Sequence, residues 1–282
     1  MIHTSIISTD VLLQNFKHPD WIVIDCRYRL ADPELSRQEY RQSHIAGAIY
    51  ADLNKDLSSR IIPGKTGRHP LPDMQIFTQT ISRWGISNDM QVVVYDDAGG
   101  AIAAARFWWL MRWLGHEAVA VLDGGWSKWM KEGKPTQSQT EYRLERKYLP
   151  HPRPELSFDT GQVLSILNDP TYLLVDTRAH DRYLGLNQSI DPMAGHIPGA
   201  LNLPYAGNLN PDGTFLGKDD LVERYAKIIG DTPALRVVFY CGSGVTATHN
   251  VLAMFHACLG EAGLYPGSWS EWIADPNRPI ES

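Results

Sequence analysis

Cysteine is scarce in this chain: Cys26, Cys241 and Cys258 are the only three among 282 residues. They form no zinc-binding pattern and no disulfide framework, so neither supplies the fold's stability. Basic charge is not in excess. Lys and Arg number 26 against 32 Asp and Glu, for a net charge of −6. The generic electrostatic argument for nucleic acid or an anionic membrane as partner is therefore absent. No long uncharged apolar run occurs. The most apolar stretch, residues 98–114, contains Arg106 and Arg112 and cannot span a bilayer. Residues 1–16 lack the basic start and continuous apolar core of an export signal. The expectations are no nucleic acid, no membrane and a reducing cytoplasm, which leaves the question of whether one thiol is reactive.

What is present is ordinary globular material. Hydrophobic residues make up 43% and charged residues 21%, enough for two packed cores at roughly 150 residues per domain. The two halves repeat each other. Val23-Ile24-Asp25-Cys26-Arg27 corresponds to Leu174-Val175-Asp176-Thr177-Arg178, and His44-Ile45-Ala46-Gly47-Ala48 to His196-Ile197-Pro198-Gly199-Ala200. Val92-Val93-Val94-Tyr95-Asp96 corresponds to Val237-Val238-Phe239-Tyr240-Cys241, and Gly124-Gly125-Trp126-Ser127-Lys128-Trp129 to Pro266-Gly267-Ser268-Trp269-Ser270-Glu271-Trp272, with one extra residue in the second copy. Four blocks in one order, at slowly drifting offsets, are two copies of one domain. Pro135, Pro150, Pro152 and Pro154 mark an extended connection. The expected division is residues 1–135, a linker at 136–155, and residues 156–282.

Within each half, strands alternate with helices. Residues 21–25, 91–96, 119–122, 172–176 and 236–240 are short β-branched runs bounded by turn residues, and 101–114 and 245–259 have helical character. The expected class is α/β, with a parallel sheet flanked by helices in each domain. Cys241 then falls at the carboxyl end of a strand, in Cys241-Gly242-Ser243-Gly244-Val245-Thr246-Ala247, where open α/β sheets bind ligands. Gly242 and Gly244 let the loop curl with its N–H groups inward, and such a ring, backed by a helix N-terminus, stabilises a thiolate. The bland alternative is a small buried hydrophobe, which is the reading preferred for Cys26 and Cys258. The matching loop of the first half, Asp96-Asp97-Ala98-Gly99-Gly100, has no thiol. Its two carboxylates would repel an anionic ligand, so the first copy is expected to be catalytically inactive.

Rival motifs fit less well. A Cys-x5-Arg phosphate loop needs arginine where Ala247 stands, and a Gly-x-Ser-x-Gly elbow needs glycine where Cys241 and Val245 stand. The run from Gly242 to Ala247 does match Gly-x-Gly-x-x-Ala, but only 40 residues follow Gly242, too few for the second half of a dinucleotide fold.

These blocks together resemble the two-domain rhodanese-type sulfurtransferases over nearly the whole chain. The loop Cys-Gly-Ser-Gly-Val is similar to that of the 3-mercaptopyruvate sulfurtransferases. The resemblance implies two tandem rhodanese-like domains and a ping-pong reaction through a Cys241 persulfide, with no metal and no organic cofactor. It implies that the backbone of Gly242, Gly244, Val245 and Thr246 binds the transferred group, that Arg182 holds the donor's anionic end, and that Ser243 pairs with His69 near the substrate. The implied donor is 3-mercaptopyruvate, with thiosulfate or a persulfide-bearing protein as alternatives. The implied acceptor is a thiol, cyanide or a thioredoxin-like protein. The chain departs from the pattern at Asp191, where a second arginine is expected, and at Asn54, where the carboxylate that orients the histidine is expected and which Asp52 and Asp56 flank. Arg178 or another arginine could replace the one missing at 191.

Arg182 has a bland reading too, as an ion-pair partner of Asp181 or Asp191, and His69 as a solvated loop residue. Arg27 and Arg178 recur in both halves and are expected in structural salt bridges. His44 and His196 recur as structural histidines, and Trp108, Trp109 and Trp113 as packing residues.

Overall fold

Valine and isoleucine runs too short for helices become the central strands. The computed structural model describes residues 2–187 and 190–282 and divides the chain into two compact units. Unit 1 comprises the described residues up to Ser59, with Pro72–Arg153 and Pro211–Phe215; unit 2 comprises Arg60–Leu71, Pro154–Asn210 and Leu216–Ser282.

In unit 1 the elements run β1 (Ile6–Ile7), α1 (Thr9–Asn15), β2 (Trp21–Asp25), α2 (Pro33–Gln42), β3 (His44–Ile45), β4 (Ala48–Tyr50), α3 (Met74–Arg83), β5 (Gln91–Tyr95), α4 (Ala104–Trp113), β6 (Val119–Leu122), α5 (Gly125–Lys131) and β7 (Thr136–Gln137). The main sheet has the order β1-β6-β5-β2-β4, and every pair in it is parallel. All residues of β5 and β6 are buried, which is why they read as continuous apolar runs rather than alternating ones.

Unit 2 contains α6 (Thr160–Ile166), β8 (Leu173–Asp176), α7 (His180–Tyr183), β9 (Leu201–Asn202), α8 (Lys218–Ile229), β10 (Val237–Tyr240), α9 (Ala247–His256), β11 (Gly263–Leu264) and α10 (Ser268–Trp272). Its sheet, in the order β11-β10-β8-β9, is also parallel. Asp159 opens α6 with a capping box closed by Gln162. Among the described residues, no helix is long and apolar enough to cross a membrane.

The sequence repeat is a structural one. Strand order β6-β5-β2-β4 matches β11-β10-β8-β9. The β1–β6 pairing has its counterpart in a parallel bridge from Ser157 to Leu264. Arg27 clasps Asp25 at 2.6 Å, and Arg178 clasps Asp176 at 2.6 Å. Both guanidiniums lie over an indole, of Trp126 and Trp269 respectively. His44 stacks on Tyr40 and His196 on Tyr183, each with Nδ1 close to the tyrosine's carbonyl. These residues are structural, as expected. Trp108 and Trp109 are fully buried, and Trp109 stacks on Trp113.

The boundary differs from the expectation. Residues 136–155 do run extended, but 136–153 pack on unit 1. β7 pairs antiparallel with β3, His44 against Gln137. Farther along, Arg146 N–H donates to the Ser82 carbonyl and His151 N–H to that of Leu114. Proline bars a helix there but does not bar an extended strap whose remaining amides find partners. The equivalent of β7 in unit 2 is an antiparallel bridge between His196 and Glu281, so the repeat continues past Pro135.

Candidate active site

Strand β10 ends at Tyr240, and α9 starts at Ala247. Between them lies the loop carrying Cys241, buried like the strand that precedes it. The loop is bolted down from behind. Trp269 N–H donates to the Cys241 carbonyl at 3.0 Å and Ser270 N–H to that of Gly242 at 2.9 Å. Cys241 N–H donates to Ser268 Oγ at 3.1 Å. Gly244 has φ +74°, and a Cβ there would sit 2.1 Å from the Pro266 carbonyl oxygen. Only glycine satisfies both the backbone angle and the close approach. Its N–H donates to Cys241 Sγ at 3.2 Å. Val245 and Thr246 begin the turn into α9, their carbonyls accepting from Thr248 and His249.

Two further groups come from residues 60–71, which belong to the same unit. His69 Nδ1 lies 2.8 Å from Ser243 Oγ, and both side chains are buried. The solvated-loop reading of His69 is thereby corrected. Arg68 is held by its own N–H on Ser270 Oγ, and its guanidinium pairs with Asp191. The other Asp191 oxygen takes Arg182 Nη2 at 2.5 Å. A Cβ placed on Gly242 would lie 2.8 Å from Arg68 Nη2 and 3.1 Å from Arg182 Nη2. Both guanidiniums therefore stand at the rim of the Cys241 loop, and Gly242 leaves them room.

The structure thus brings Cys241, Gly242, Ser243, Gly244, His69 and Arg182 together, with Val245 and Thr246 leading into the helix. Arg178 does not fill in for the arginine missing at 191, because it is spent on Asp176 and the Gly195 carbonyl. Arg68 instead contacts Asp191 itself. Sequence reasoning passed over Arg68; the available signal was its place beside His69 combined with the vacancy at 191. Within unit 1, Asp52 pairs with Arg37, and Asp56 accepts from the Asp52 N–H.

The other two thiols differ from Cys241. Burial, reinforced by Asp25 and Asp96, pushes the Cys26 thiol well up, as suits a packing residue. Cys258 corrects its expected place inside a buried helix: it lies beyond the end of α9, is exposed and has φ +60°.

In the matching loop of unit 1 the two carboxylates are both engaged. Asp97 is paired with Arg29. The Asp96 carboxylate turns into its own loop and accepts five backbone N–H groups, from Ala98, Gly100, Ile102, Ala103 and Ala104, at 2.8–3.2 Å. In the first copy, then, the loop amides form a ring that a side chain of that copy occupies.

A rhodanese-like domain model matches residues 8–132 and again 159–275. A probable 3-mercaptopyruvate sulfurtransferase of Pseudomonas aeruginosa is 41% identical over 281 residues, covering 99% of each chain. A thiosulfate sulfurtransferase of Rattus norvegicus is 32% identical over 285 residues, covering 97% of this chain and 93% of the relative. The solved 3-mercaptopyruvate sulfurtransferase from Leishmania major superposes with a TM-score of 0.85 at 29% identity, over 95% of this chain and 74% of that one. The chain belongs to the rhodanese-like domain family and carries that domain twice. Within the family it is an enzyme, a sulfurtransferase, acting between a sulfur donor and an acceptor.

Proposed function

We propose that Cys241 carries the sulfur as a persulfide and that 3-mercaptopyruvate is the preferred donor. The observation that supports this most is the 2.8 Å contact of His69 with Ser243 in the Cys241 loop. A hydroxyl–imidazole pair can deliver a proton. Pyruvate leaving as an enolate needs one, whereas sulfite leaving from thiosulfate does not.

In the first half-reaction the Cys241 thiolate attacks the donor sulfur. A sulfur–sulfur bond forms and the carbon–sulfur bond breaks, with its electron pair passing to the enolate. The proton relayed through Ser243 and His69 converts this to pyruvate. In the second half-reaction an acceptor thiolate or cyanide attacks the outer sulfur, and the Cys241 thiolate leaves. Splitting the transfer in this way replaces one difficult step by two easier ones. The Gly244 N–H, already on Sγ, is placed to stabilise the anionic sulfur.

Thiosulfate is the second reading, supported by the two guanidiniums beside Gly242, which suit a doubly charged donor. Intact-mass measurement after each donor tests both. The expected result is a gain of one sulfur, about 32 Da, on Cys241 with 3-mercaptopyruvate. Cys241→Ser should take up none and lose turnover by at least about a thousandfold. Sulfur uptake by Cys241→Ser would refute the persulfide. Uptake from thiosulfate alone would favour the second reading, and uptake only from a persulfide-bearing protein would make the chain a relay.

A further inference from the structure

Two arginines aimed at one carboxylate are unusual at the mouth of a site that must receive an anion. Asp191 has a side chain only 4% exposed, although its neighbour Ile190 is 55% exposed. The contacts that hold it are those with Arg68 and Arg182, one guanidinium on each carboxylate oxygen. The same two guanidiniums flank Gly242, next to the thiol. A donor whose sulfur reaches Cys241 brings its negative end to guanidiniums that a carboxylate already engages. Arg182 is ordered from its other side by its own N–H on Asp181, and Arg68 by its N–H on Ser270. Neither backbone needs Asp191 to stay where it is.

We infer that Asp191 is a resident counter-anion that competes with the donor for Arg68 and Arg182, and that Arg68 is the second donor-binding arginine of this enzyme. The inference rests on the proposed function, in that it assigns the same site its anion selectivity. In the unloaded site Asp191 neutralises two like charges that would otherwise repel. A donor must displace it, so the site favours an anion that engages both guanidiniums at once over one that engages a single guanidinium. Removing the Asp191 charge while keeping its shape should therefore tighten anion binding. If Asp191 only positioned the arginines, the same change would loosen it.

The test uses the full chain and two unreactive anions, pyruvate and sulfate, titrated by calorimetry. Asp191→Asn should bind each about tenfold more tightly than wild type, Arg68→Gln should bind several-fold more weakly, and the double variant should fall between the two. Equal or weaker binding by Asp191→Asn would overturn the inference. A second readout does not depend on that variant: in Asp191→Ser, alkylation of Cys241 by iodoacetate relative to neutral iodoacetamide should rise about tenfold, and an unchanged or lower ratio would also overturn it. Tightening without sulfur uptake from any donor would refute the proposed function and leave this inference standing. Normal uptake without tightening would do the reverse.

Discussion

At the scale of single residues, the proposed chemistry rests on a few side chains with distinct duties. Thiol and proton delivery are separable in principle, because only one of the two candidate donors needs a proton on its leaving group. His69→Ala should lower kcat with 3-mercaptopyruvate by about 10²–10³-fold, the usual range for a lost general acid, while sulfur uptake from thiosulfate falls less than tenfold. Steady-state rates with each donor and a common acceptor decide this; equal losses with both would remove the proton-relay role. The place of Cys241 in a loop after a strand was legible in the sequence, because an apolar run ending in a cysteine followed by glycines marks such a turn. The Arg68–Asp191–Arg182 cluster was not, because it joins residues 123 positions apart and no local pattern announces such a contact. Asp191 stood out only as a departure, and its meaning came from what it touches.

At the scale of elements, strands were easier to place than helix starts. β2 and β6 coincide with their apolar runs, since a parallel sheet covered on both faces demands nothing else of its strands. Helix α4 begins at Ala104 rather than 101, and α9 at Ala247 rather than 245. In unit 1 the amides at the start of α4 serve the loop instead, turning inward onto Asp96, and in unit 2 the loop amide of Gly244 turns onto Cys241 Sγ. The turn that aims them depends on one glycine. Gly244→Ala forces a Cβ against the Pro266 carbonyl at a positive φ. It should cost about 2–3 kcal/mol of stability and slow Cys241 alkylation at least tenfold. A thermal melt and a labelling time course measure the two effects.

At the scale of the whole molecule, duplication was legible and the exact partition was not. Repeated motifs report ancestry, but they do not report where an extended strap chooses to pack. Histidines removed from solvent, wholly or in part, make the fold's stability depend on pH. Burial, aided by Lys218, depresses His256 to about 4, and burial also lowers His116. With a folded value below the unfolded 6.5, the unfolded chain binds more protons between these limits. The stabilisation is therefore complete above about pH 6.5 and is lost progressively as pH falls toward 4. Chemical denaturation at pH 7 and pH 5 should differ by roughly 1–2 kcal/mol from His256 alone, after allowance for solvent screening. His256→Gln should flatten that difference; an unchanged slope would mean that other groups carry it.

The Asp96 carboxylate has a consequence for how the two halves were free to diverge. A loop of inward-pointing amides is an electrostatic debt wherever it occurs, and in the half where aspartate stands in place of cysteine a carboxylate settles it. The curvature holds there because a short acidic side chain fills the space inside it. Replacing Asp96 by an uncharged residue would leave those amides without their carboxylate and unseat the start of α4.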